Sequence, residues 1–137
     1  MFFKKDNKET ENNFLIKICA LLIHAAKIDE NYTENEEDII KKTLLELGST
    51  DEDLSETIKK AKMIEENSNQ ILDFTKEIKN LPGKDKIKII ESLWSIIYSN
   101  NEADLYETNL MRRLAGLLYI DNKTMGDIKE RIKNLKS

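Results

Sequence analysis

Between Phe14 and Lys27 the chain reads FLIKICALLIHAAK, and nearly every residue in it is apolar. Wound as a helix, it sets Phe14, Ile18, Leu21, Leu22, Ala25 and Ala26 at helical spacing, while Leu15, Cys19 and Ile23 widen the stripe to several sides. A helix of that kind belongs at the centre of a domain, so the remaining segments must act as its covers. No apolar stretch in the chain is long enough to cross a bilayer.

The covering segments read as helices too. Thr33-Glu34-Asn35-Glu36 is a capping box, in which the Thr hydroxyl accepts the Glu36 N–H and the Glu36 side chain reaches back to the cap. Ile39, Ile40, Thr43, Leu44 and Leu47 follow as an amphipathic face, and Gly48 stands where a helix end favours left-handed backbone. Ser49 or Thr50 caps a third helix, whose thinner stripe is Leu54, Ile58, Ala61, Met63 and Ile64. Asn67-Ser68-Asn69 breaks it, and Ile71, Leu72, Phe74, Thr75 and Ile78 resume the pattern. Pro82-Gly83 marks a turn inside the domain. Beyond it, Ile87, Ile90, Leu93, Trp94, Ile97 and Tyr98 form a second wide stripe. The box Asp104-Leu105-Tyr106-Glu107 opens the next helix, with Leu110, Met111, Leu114, Leu117 and Leu118. A last helix, from about Lys123 to Leu135, carries Met125, Ile128, Ile132 and Leu135. No segment alternates as a strand does. The expected architecture is all-α: one compact bundle of about six or seven helices over residues 13–137, behind a flexible N-terminal arm over residues 1–12.

An offset of 71 aligns the two halves: Leu22 falls on Leu93, Thr33 on Asp104, Glu36 on Glu107, Ile39-Ile40-Lys41-Lys42 on Leu110-Met111-Arg112-Arg113, and Leu47 on Leu118. Each half then holds a buried helix, a polar loop and a boxed amphipathic helix, and a pseudo-twofold bundle is the natural way to combine them.

The net charge of −4 over 137 residues argues against a dedicated nucleic-acid binder, and no nucleic-acid partner is expected. A single cysteine allows no disulfide within the chain, and the opening MFFKKDNKETENN has no apolar signal core, so a cytoplasmic protein is expected.

The segments AKIDENYTENE and YSNNEADLYE, together with LPGKDKIKIIESLWSIIYSN and MRRLAGLLYI, resemble the TerB-like family, which takes in tellurite-resistance proteins and the N-terminal part of a DnaJ-type co-chaperone. The family carries two motifs, each with an Asp and, seven positions on, a Glu. Here Asp29 and Glu36 fill the first copy, and Asn100 and Glu107 stand in the second; Glu30 and Asn101 occupy places where the family favours Gly. The resemblance covers the chain from about Phe14 to the last helix. It implies an all-α fold and a role in tellurite resistance or stress response through protein partners, in some cases at a membrane surface. It also implies a divalent cation at the acidic motifs.

Asp29, Glu36, Asp104 and Glu107 are therefore the candidate metal residues. Each also has a plainer role: Glu36 and Glu107 as capping-box partners, Asp104 as a cap, Asp29 as a loop closer, and this capping reading is the preferred one. An EF-hand is ruled out, because Glu34 stands where the loop needs Gly and Ile40 where it needs the bidentate Glu, and the second loop fails alike at Met111. His24 and Cys19 lie in the first apolar stripe; His24 reads as a satisfied or partly exposed histidine, Cys19 as a buried thiol, and Trp94 and Tyr98 as core. Arg112, Arg113 and the C-terminal Lys129, Arg131, Lys133 and Lys136 make a locally basic end able to touch phosphate or an acidic partner; the preferred reading pairs Arg112 and Arg113 with nearby acids on a solvated face and sets the lysines against a helix C-terminus. There is no Gly-rich phosphate loop and no nucleophile–base pair, so a non-enzymatic binding or adaptor module is expected; the alternative is a divalent-metal sensor using the loop around Asp29 and Glu36.

Overall fold

The two widest apolar stripes become two adjoining central helices. A computed structural model describes residues 2–27, 33–68, 71–100 and 105–136; within those spans the side chains of 2–12, 72, 77, 100, 105, 106 and 136 are outside the description. Seven α-helices run through the described residues: α1 (Phe2–Lys27), α2 (Glu34–Glu46), α3 (Asp51–Glu66), α4 (Leu72–Ile78), α5 (Gly83–Ile97), α6 (Leu105–Leu117) and α7 (Asn122–Lys136), with a 3-10 turn at Tyr98–Asn100 after α5. No strand occurs among them. No described helix is long and apolar enough to cross a membrane.

In α1 every residue from Ile18 to Ala26 is buried except His24. That is the outcome an all-round apolar helix requires: α3, α4, α5 and α2 all pack on it. Helix α5 buries Ile89, Ile90, Leu93, Trp94, Ile96 and Ile97 and is covered in turn by α7 and α2. Leu21, Leu22 and Leu93 have no exposure at all, and burying side chains of this size stabilises the fold by about 1.5–3 kcal/mol each. The core residues of the helices form one continuous cluster.

Helix α1 begins at Phe2, so its backbone takes in residues 2–12, the segment set aside in the sequence as an arm. KKDNKETENN contains neither Gly nor Pro, and nothing in it stops a helix propagating back from the buried run. The α3 stripe needs one correction: Met63 is 57% exposed, and Thr57 is buried in its place. Position 63 lies two residues past Ala61, about 200° around the helix from it, and so points away from the Leu54–Ile58–Ala61 line. Leu135, in the final turn of α7, is 75% exposed, and Ile87 is on the exposed rim of α5.

The offset of 71 recurs in the helix bounds and in their punctuation. α2 maps onto α6 end for end, and α3 begins where α7 does. Past α2, Gly48 N–H donates to Leu45 O and Ser49 N–H to Leu44 O; past α6, Tyr119 N–H donates to Gly116 O and Ile120 N–H to Ala115 O. These are the paired bonds of a Schellman ending, and both C′ residues are left-handed, Gly48 at φ 111° and Tyr119 at φ 57°. At the next helix start, Thr50 Oγ1 accepts Asp53 N–H as Asp121 Oδ2 accepts Thr124 N–H. The Thr124 hydroxyl also donates to Asp121, and these bonds hold the Asp121 carboxyl below its ordinary range.

The packing is not copied in the same way. α2 rests on α5, and there Thr43 Oγ1 and Ser92 Oγ hydrogen-bond in the buried interface. Each hydroxyl also has the carbonyl four residues back within reach, Ile39 O at 2.8 Å and Lys88 O at 3.0 Å, so while one of the pair donates to the other hydroxyl, the acceptor hydroxyl donates to its own helix. The equivalent positions in the other half, Leu114 and Leu21, are fully buried leucines. A double-mutant cycle of Thr43→Val and Ser92→Ala in denaturant unfolding should give a coupling energy of about 0.5–1.5 kcal/mol; additive effects would show that the hydroxyls act only on their own helices.

Candidate functional site

The capping box at the head of α2 is formed in full. Thr33 is extended (φ −95°, ψ 165°), and its hydroxyl accepts Glu36 N–H at 3.3 Å. Glu36 Oε1 answers by accepting the Thr33 N–H and the Thr33 hydroxyl, both at 3.0 Å. The carboxylate is buried and sits in the first turn of α2, where the helix dipole favours negative charge. Glu107 has the same place in α6 and is also buried. It lies close enough to Tyr98 to matter there: burial pushes the Tyr98 phenol above its ordinary pKa, and the Glu130 and Glu107 carboxylates add to the rise.

Of the four candidate metal residues, only Glu36 and Glu107 fall in the described part of the chain; Asp29 and Asp104 lie outside the described residues. Glu36 Oε1 already serves two donors, and hard cations take about six to eight oxygens. Among the described residues no group of three or more His, Cys, Asp or Glu side chains is placed to hold an ion. Glu34 and Glu37 share the first turn of α2 with Glu36, but they do not converge with it into such a group.

The other polar candidates resolve into structural roles. His24 Nδ1 lies 3.4 Å from Glu65, which also accepts from Lys27 Nζ at 2.9 Å, and the His24 ring tilts against Phe74. Cys19 is fully buried, and burial pushes its thiol up to about 12, far from the range of a reactive cysteine. Trp94 and Tyr98 stack one turn apart, with ring centroids 5.9 Å from each other. Arg112 and Arg113 are exposed, but the pairing with nearby acids expected of them is not formed among the described residues.

The surface feature missed in the sequence is a groove between α1, α3 and α4. It has a volume of about 660 Å³ and is lined by Met63 and Ile64 beside Lys17, Lys76 and Asp73. Lys17 Nζ donates to Asp73 O at 3.2 Å across its width, and the Ser68 hydroxyl bonds the Asp73 carboxylate. The signal was present: position 63 breaks the helical period of the α3 stripe, so its apolar side chain had to face outward.

A family model described as Tellurite resistance protein TerB matches residues 15–130. No curated protein and no solved structure matches the chain.

Replacing Thr33 by Ala should lower stability by about 0.5–2 kcal/mol in urea unfolding, because Glu36 loses a donor and its own N–H loses an acceptor. A change within error would show that the box contributes nothing to the native state.

Proposed function

The chain belongs to the TerB family, and from that membership we propose that it is a non-enzymatic binding and adaptor module. The observation that carries the reading is Met63, more than half exposed at the edge of an open groove between three helices. An unbranched, polarisable side chain in such a place suits a surface that adapts to a protein partner. The partner would press an apolar residue against Met63 and Ile64, with Lys17 and Lys76 at the rim. Tellurite resistance or a related stress response is the setting that the family description suggests, and cytoplasmic residence, peripheral to a membrane where the partner requires it, belongs to the same proposal.

A photo-crosslinking residue at position 63 should capture one discrete partner in the native cell, whereas one at the exposed position Lys41 on α2 should not. Met63→Glu, with an unchanged circular dichroism spectrum, should abolish binding of the captured partner. No discrete product, or full binding by the Glu variant, would sink the adaptor reading.

A divalent-cation sensor is the second reading, favoured by two buried carboxylates at equivalent helix starts. It needs oxygens beyond Glu36 and Glu107, with Asp29 and Asp104 as the first suppliers. Calorimetric titration with Ca²⁺, Mg²⁺, Mn²⁺ and Zn²⁺ tests it: saturable heat that disappears in Asp29→Ala supports the sensor, and no heat at millimolar ion leaves the corners as caps.

A further inference from the structure

A second cleft lies between α6 and α7, over Trp94, with a volume of about 160 Å³. Trp94 is only 3% exposed, and its Nε1–H has no hydrogen-bond partner among the described residues. The indole thus floors the cleft with its ring, while the N–H itself is closed off from solvent. The charged and polar groups lining the cleft are all suited to an anion. Lys129 Nζ lies 5.5 Å from the Trp94 ring centroid. Arg112 is exposed on the α6 side and in no ion pair among the described residues, and the Thr108 hydroxyl and the first residue of α7, Asn122, complete the polar lining. Among the described residues no carboxylate lines the cleft; the nearby Glu107 and Glu130 act on Tyr98. One wall is Gly126, in the interior of α7, where a helix prefers almost any other residue. A Cβ at Gly126 would meet nothing within 4 Å, so packing does not demand the glycine, and its effect is to leave the cleft open.

We propose that this cleft receives the carboxylate of a Glu or Asp side chain from an acidic segment of a partner protein. Its volume suits a carboxylate on one or two methylenes and is well below that of a cofactor pocket. A cationic recess on a chain of net charge −4 selects for an acidic ligand through complementarity. In naming a protein as the source, the proposal rests on the binding-module reading, but it concerns a different surface from the Met63 groove.

Trp94 is the only tryptophan, so its emission reports the cleft directly. The full chain is titrated with a Glu-rich decapeptide, a Lys-rich decapeptide and free glutarate, at low and at high salt. The Glu peptide should shift the emission saturably, with binding at least ten-fold weaker in Lys129→Ala and in Arg112→Ala. Gly126→Leu should abolish it while the melting temperature holds or rises, since leucine is the better helix former. Calorimetry with the Glu peptide checks the same binding without the fluorescence, and there too it should weaken in Lys129→Ala. Three results would overturn the proposal: no saturable shift at millimolar Glu peptide, unchanged binding by Gly126→Leu, or glutarate binding as tightly as the peptide, which would assign the cleft to a free small acid. Crosslinking from position 63 in the Gly126→Leu background separates the two readings: retained capture there, with no peptide binding by the wild type, removes the cleft proposal and leaves the adaptor module standing.

Discussion

The fold depends on taking the second half of α1 out of water. Between Ile18 and Ala26 only His24 keeps appreciable exposure, so no single neighbour could cover the segment. α5 is nearly as apolar and lies against it. Each of these two helices hides part of the other, and the surfaces that remain must be closed by α2, α3, α4 and α7. The covering helices are short, seven to sixteen residues, and helices of that length are marginal alone in water. They are stabilised chiefly by the apolar face each one presents to the central pair.

Short covers need sharp ends, and the caps provide them. Both halves use the same local chemistry, an Oγ or Oδ acceptor at the helix start and a left-handed residue past the preceding helix end. At Gly48 the left-handed backbone costs little. At Tyr119 it is held in a bulky residue that is 73% exposed. Lys86 Nζ donates to Leu118 O at 2.9 Å, so a cation sits at the C-terminal end of α6, and the ammonium groups of Lys79 and Lys86 lie 5.9 and 5.8 Å from the Tyr119 ring. Cation–π attraction and a capped carbonyl together offset the strain that glycine would avoid.

The groove and the cleft owe their form to the same architecture. Met63 faces outward because the α3 stripe points inward, and the groove beside it exists because α4 packs on α1 next to α3. The Trp94 cleft lies between α6 and the first half of α7, where Gly126 leaves room above a large indole. The acidic corners are different in kind. Glu36 is explained by bonds to a residue three positions away, and that explanation stands whether or not an ion ever visits.

By itself the sequence determined the helical class, the starts at Thr33 and Thr50 and the ending at Gly48, the central place of Phe14–Lys27 and of the Ile87–Tyr98 stripe, and the partnership of Thr33 with Glu36. All of these rest on spacings of a few residues, within which the geometry of a helix leaves little choice. Only the tertiary structure decided that Thr43 meets Ser92, 49 positions away, that Lys129 lies over Trp94, and that Met63 borders a groove with Lys17 and Lys76. Such pairings depend on how helices cross and on the faces they turn to one another. The crossings are set by the packing of the whole core at once, and no short window of the chain contains that sum.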